Sequence, residues 1–251
     1  MILARRLARR LGYELIPRRK LRELDAQLAL TLERQEVDAV VDVGANRGQY
    51  AARLRAAGWQ GPILSIEPMP ELRAELARAA AADPRWEVAP AMALGAEAGE
   101  AVLEVSAEAD MSSTLAQSPL LRRISPSSAV VRRIAVPQRR LDELMASRPW
   151  RRLFVKIDVQ GAEPAVLAGM TGLWDRVAGV QLEMALVPLY EGERLWLDLV
   201  ADLAQAGFAP YLLFPGYFAK ALGRQVQLDA VFYRRGDEDR PVDAAHVRTG
   251  A

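Results

Sequence analysis

From about Asp38 onward, short apolar runs alternate with stretches whose apolar residues recur at helical spacing. Residues 40–43 (Val-Val-Asp-Val) read as a buried strand, 47–57 as a helix, and Gly58 as its stop. Residues 63–66 form a second strand, after which Pro70 and Glu71 open a helix in the manner a helix N-terminus favours. A third strand is predicted over 86–94, a turn over 95–99, and an exposed strand over 102–105. Residues 110–130 are rich in serine and proline without a period, which predicts a loop or lid. Strands over 153–158 and 180–186 enclose a helix over 164–170, and an amphipathic helix over 194–205 ends at Gly207. Strands over 211–214 and 228–233 close the pattern. Their connection is too short for a helical crossover, so they are expected to pair antiparallel. Strands alternating with helices predict an α/β fold, a mostly parallel sheet covered on both faces.

Composition narrows the chemistry. The chain has 251 residues, 51% apolar and 26% charged, enough for a sizeable core without covalent staples. It has no cysteine, which excludes disulfides, thiolate metal sites and cysteine nucleophiles. The single histidine, His246, lies in a polar tail, so a histidine base is not expected. No apolar run is long enough to span a membrane. Only Lys20, Lys156 and Lys220 are lysines among 33 basic residues, which reads as coding bias.

Charge divides the chain. Residues 1–23 hold eight basic side chains against Glu14 and Glu23, a net +6 that leaves −5 for the rest of a chain totalling +1. Leu3, Leu7 and Leu11 recur at helical spacing among the arginines, so residues 1–36 read as a basic amphipathic helical segment. A helix packed on the main domain or on a partner copy is favoured over a membrane-surface anchor, because so narrow an apolar face binds a bilayer weakly. The segment lacks the apolar core of a secretory signal, so a cytoplasmic location is expected, with peripheral contact at the inner membrane face as its variant. Residues 37–235 form the main domain, and 236–251 read as a disordered polar tail.

Three segments carry candidate chemistry. In residues 41–50 a strand ends, Gly44 and Gly48 bracket a turn, and a helix begins whose N-terminal amides face a ligand. Asn46 stands where a dinucleotide fingerprint has its second glycine, which favours a cofactor without phosphates. Glu67 ends the next strand, 19 positions beyond Gly48, where a carboxylate can accept both hydroxyls of a ribose. In residues 155–164, Lys156 and Asp158 point to one side of a strand and Glu163 starts the next helix. Glu183 lies inside another apolar run. Such charges are costly in apolar strands unless paired or functional. An ion-pair network bracing loops is the plainer alternative.

These residues resemble the FkbM family of S-adenosylmethionine-dependent methyltransferases. The resemblance rests on Asp42-Val43-Gly44-Ala45-Asn46-Arg47-Gly48, Ile66-Glu67-Pro68, Ala93-Leu94-Gly95, Met111-Ser112-Ser113, Arg140-Leu141-Asp142-Glu143-Leu144 and Lys156-Ile157-Asp158-Val159-Gln160-Gly161-Ala162-Glu163, in that order. It covers roughly residues 38–235, and Gln160 departs from the glutamate frequent in the family. It implies a Rossmann-like class I methyltransferase: a seven-strand sheet with a reversed last strand, helices on both faces. It further implies O-methylation of a sugar hydroxyl in a glycolipid or polysaccharide, or of a related natural product. By position, Gly44, Ala45, Asn46 and Gly48 would line the methionine and ribose, with Asp42 bracing the turn. Glu67 would hold the ribose diol beside Pro68, Leu94 would flank the adenine, and Asp158 would lie near the reacting methyl. With no usable histidine or cysteine, Asp158 is the expected base, with Glu163 and Glu183 orienting substrate. A divalent cation held by these three carboxylates is the less favoured alternative.

A nicotinamide oxidoreductase shares the glycine turn and distal acid, and a non-catalytic cofactor-binding fold is a further alternative. The acceptor is expected to be a small molecule or glycan rather than nucleic acid, because the dense basic segment lies outside the main domain. A homo-oligomer is compatible with the sequence.

Overall fold

A computed structural model describes residues 23–236. The basic repeat of Leu3, Leu7 and Leu11, the tail beyond residue 236 and His246 lie outside the described residues. The central sheet joins β1 (Ala39–Val43), β2 (Ile63–Ile66), β3 (Trp86–Val88), β7 (Leu153–Ile157), β8 (Val177–Ala185), β9 (Phe208–Pro215) and β12 (Gln227–Arg234). Their order is β3-β2-β1-β7-β8-β12-β9, with β10 (Phe218–Ala219) and β11 (Arg224–Gln225) paired antiparallel in a two-stranded sheet of their own. The strands from β3 to β8 are parallel, and β12 runs antiparallel to both β8 and β9. This is the expected sheet with its reversed last strand.

Alternate residues of the strands feed two cores. On one face Val41, Val43, Leu64, Val155, Ile157 and Leu182 pack against α5 (Leu141–Met145), α6 (Glu163–Ala168) and α7 (Trp196–Gln205). On the other, Val40, Ile63, Phe154 and Val231 meet α1 (Glu23–Arg34), α2 (Gln49–Ala57) and α3 (Pro70–Ala80). Helix α1 sinks Leu28 and Leu32 into this second core. No helix among the described residues is long and apolar enough to cross a membrane.

Two expectations need correction. The strand predicted over 86–94 is broken, because Pro90 cannot donate to a ladder. Its first half is β3. Its second half is β4 (Ala93–Leu94), which joins β6 (Val130–Arg139) and β5 (Gly99–Ser106) in a separate three-stranded sheet. The serine-rich stretch is likewise not plain loop. It holds a 3-10 turn (Ala109–Met111), helix α4 (Pro119–Ile124) and a second 3-10 turn (Pro126–Ser128). Ser118 caps α4 by accepting from the Leu121 amide, and Leu121 is buried with Leu189, Tyr190 and Val226. Ser106 Oγ and Gln117 Nε2 both donate to the Ser128 carbonyl, at 2.7 and 2.6 Å. The serines replace a ladder with side-chain-to-backbone bonds, which a period search does not detect.

Candidate active site

The chain order reverses direction between β1 and β7, and open α/β sheets place their ligand crevice at the carboxyl ends of strands that diverge in this way. A cavity of about 450 Å³ lies there, within the range of ligand pockets of roughly 300–1,000 Å³.

One end of it is built by the turn after β1. Gly44 has φ +76°, and a Cβ there would fall 1.8 Å from the Asp158 carbonyl oxygen. Only glycine lets the β1 and β7 turns approach so closely. Asn46 (φ 50°) also takes the left-handed conformation, and α2 starts at Gln49, two residues later than expected. Glu67 is 5% exposed, and its two carboxylate oxygens accept from the Asn46 and Met69 amides, each at 2.9 Å. Burial pushes its carboxyl above the usual range, opposed by these two amides. Each oxygen keeps a lone pair for a ligand in the cavity. Ala45, Asn46, Pro68, Met92 and Leu94 complete this end. Gly48, expected to face the cofactor, lies behind the turn instead, where a Cβ would meet the Trp86 ring at 2.7 Å.

Beneath the turn a polar row crosses the sheet in register: Ser65, Asp42, Lys156 and Gln181. All four are buried. Trp86 Nε1 donates to Ser65 Oγ at 3.0 Å, and Ser65 Oγ donates to Asp42 Oδ2 at 3.4 Å. Lys156 Nζ lies 3.3 Å from carboxylate oxygens of both Asp42 and Asp158 and donates to the Gly44 carbonyl at 3.1 Å. Burial disfavours the lysine's charge, but Asp158 and Asp42 outweigh it and hold its pKa above the ordinary value. Burial raises Asp42 in turn, with Lys156 opposing. Asp42 thus braces the turn from below and does not line the cavity.

The other end gathers Asp158, Gln160, Gln181, Glu183, Gln227 and Asp229. Tyr50 OH donates to Gln181 Oε1 at 2.9 Å, and Gln181 Nε2 donates to Asp229 Oδ1 at 3.3 Å. Glu183 Oε2 accepts from Gln227 at 2.8 Å and from Gln160 at 2.6 Å. Burial, then the charges of Asp158 and Asp229, push Glu183 well above the usual carboxylate range. Burial and Asp158 push Asp229 up to about 6.

Glu163 is not brought to this end. It is 3% exposed, and its Oε1 accepts from the Val159 and Gly161 amides at 3.0 and 3.2 Å. Burial pushes it up to about 8. It shapes the turn and does not line the cavity, so of the three acids expected to act on substrate, Asp158 and Glu183 reach it. Among the described residues, no group of three or more acids or histidines is placed to hold a metal ion. Gln181, Gln227 and Asp229 escaped the sequence reading, although Gln181/Glu183 and Gln227/Asp229 each show a period-two polar pair in an apolar strand.

The methyltransferase FkbM domain model matches residues 42–210. No curated protein matches the sequence. Among solved structures, the chain is similar to the magnesium protoporphyrin IX methyltransferase of Synechocystis PCC 6803 with bound S-adenosylmethionine: 12% identity, TM-score 0.48, covering 86% of this chain and 79% of that one. It is also similar to an O-methyltransferase of Bacillus cereus in complex with S-adenosylhomocysteine (12%, 0.48, 88% and 83%). An rRNA methylase of Streptococcus thermophilus gives 11%, 0.46, 88% and 99%. The family match spans more than half of the chain and starts at the Asp42 that braces the glycine turn, so the chain belongs to the FkbM family of S-adenosylmethionine-dependent methyltransferases.

Proposed function

We propose that the chain transfers a methyl group to a hydroxyl of a sugar, glycolipid, polysaccharide or related natural product. The reading is carried by the continuity of one cavity from the Gly44 turn to Asp158, Glu183, Asp229, Gln181 and Gln227, side chains suited to hydrogen-bonding a polyhydroxylated molecule. The first end fits the cofactor: Glu67 has acceptors left for a ribose diol, and Met92 and Leu94 give an apolar wall for adenine. When bound, S-adenosylmethionine supplies a methyl group already activated on a sulfonium.

What remains for the chain is to align the acceptor oxygen, which contributes on the order of 7–11 kcal/mol in well-oriented reactions. Asp158, whose turn packs against Gly44, accepts the hydroxyl proton as the new bond forms, a role worth roughly 10²–10⁴-fold. Glu183 and Asp229 hold neighbouring hydroxyls.

Incubation with methyl-tritiated S-adenosylmethionine and a panel of sugars, glycolipids and polysaccharides tests this. Base-stable label on a carbohydrate hydroxyl is expected. Label found only as a base-labile ester, or only on amines or nucleic acid, contradicts it.

A further inference from the structure

Gln160 sits where the local backbone is least welcoming to a side chain, at φ 57° beside Gly161 at φ 92°. Both hydrogens of its carboxamide are nevertheless placed. Nε2 donates one hydrogen to Asp158 Oδ1 at 3.0 Å and the other to Glu183 Oε2 at 2.6 Å. Oε1 accepts from Tyr190 OH at 3.0 Å, a hydroxyl that shares its one hydrogen with the Met111 carbonyl at 3.1 Å. The reverse orientation would set the amide oxygen against two carboxylates, so Tyr190 helps fix which end faces them. The main-chain carbonyl accepts from Ser113 Oγ at 2.7 Å, which ties the turn to the roof segment lining the cavity.

Two carboxylates that converge on one amide nitrogen are held in fixed places by its two hydrogens. We propose that Gln160 is a positioning residue of the methyl-transfer site: its carboxamide bridges Asp158 and Glu183 and fixes both at the acceptor end. This rests on the methyl-transfer reading above. Other groups facing the pair are Lys156 on β7, Asp42 on β1, Glu163 on α6 and Asp229 on β12. Tyr50 and Arg53 on α2, and Tyr190 and Glu193 beyond β8, complete the surroundings. Lys156 is shared with Asp42 and lies on the far side of Asp158, at Oδ2, so among the described hydrogen bonds Gln160 alone joins the two acids. A glutamate at 160 would remove two donors and add a third acid.

The test is a carboxyl-carbon NMR titration of the full chain, with the upper midpoint, carried by Glu183, compared among variants. Gln160→Glu is expected to raise the upper midpoint by roughly one pH unit or more, tenfold in proton affinity. Gln160→Met, which removes the donors without adding charge, and Tyr190→Phe, which frees the amide, are expected to raise it less. Ser113→Ala loosens the roof without touching the carboxamide and is expected to leave it unchanged. An upper midpoint that stays at the wild-type value in both Gln160→Met and Tyr190→Phe, or that Ser113→Ala moves equally, overturns the proposal. If Gln160→Glu fails to fold, the two milder variants decide. S-adenosylhomocysteine calorimetry on the wild type separates the two readings: silence there defeats the methyl-transfer reading, whereas unmoved midpoints defeat the bridging role.

Discussion

The turns after β1 and β7 are built alike and used differently. Each follows a strand, and each holds a non-glycine residue in left-handed backbone, Asn46 in one and Gln160 in the other. Each is stabilised by a carboxylate that takes two backbone amides, Glu67 in the first and Glu163 in the second. Glu67 reaches in from the neighbouring strand end and still faces the cavity. Glu163 belongs to its own turn's helix and is buried with both amides on one oxygen. The first turn therefore presents its brace to a ligand. The second hides its brace and presents Asp158 and Gln160 instead. An acid at the start of a helix is thus no guide to function until the destination of its oxygens is known.

The largest break in this comparison is expected at Asp158. Asp158→Ala should lower turnover by roughly 10²–10⁴-fold while leaving S-adenosylhomocysteine affinity near wild type. Single-turnover methyl transfer and calorimetry check it, and unchanged turnover removes Asp158 from the mechanism.

The glycines of the two turns should differ next. Gly44→Ala drives a Cβ into the Asp158 carbonyl, whereas at Gly161 the nearest atom is a Tyr190 ring carbon at 3.1 Å. Both substitutions meet the left-handed penalty of roughly 1–2 kcal/mol. Only Gly44→Ala adds a backbone collision, so its thermal midpoint should fall further, by several degrees beyond that of Gly161→Ala. Equal midpoints would mean that the two turns are not packed against each other as described.

The last break, set by pH, concerns the hidden brace. The folded-state pKa of Glu163 is raised to about 8 from an ordinary value of 4.5, so the folded chain binds the proton more tightly than the unfolded one. Its contribution is full below about 4.5 and is lost progressively as pH rises toward 8. Glu163→Gln can still accept from both amides and does not ionise. Its melting temperature should gain on the wild type as pH rises from 5 to 8, and parallel curves would contradict the assignment.

Much of this was legible in the sequence because it is local. The alternation of strands and helices, the short link before the last strand, the glycine turn and Glu67 all lie within single supersecondary units. What was not legible depends on pairing between distant strands. Asp229 reaches the site because β12 pairs with β8 in the register that sets it opposite Glu183, with Val231 opposite Gln181. Glu163 looked like a substrate acid because its spacing from Asp158 says nothing of the backbone amides between them. Gly48 looked like a cofactor contact, but the Trp86 that occupies its outer side arrives from β3. Gln160 stands where the family frequently has glutamate, and the hydrogen it donates to Glu183 appears only once β8 brings that residue alongside.

The central claim is that the Gly44 turn and Glu67 hold S-adenosylmethionine, and isothermal titration of the full chain with S-adenosylhomocysteine tests it most directly. Saturable binding is predicted, weakened roughly 100-fold in Glu67→Ala, as loss of hydrogen bonds to a charged group at about 1.5–3 kcal/mol implies, with NAD giving no heat. Silence with S-adenosylhomocysteine, full affinity in Glu67→Ala, or saturable binding of NAD would contradict the account.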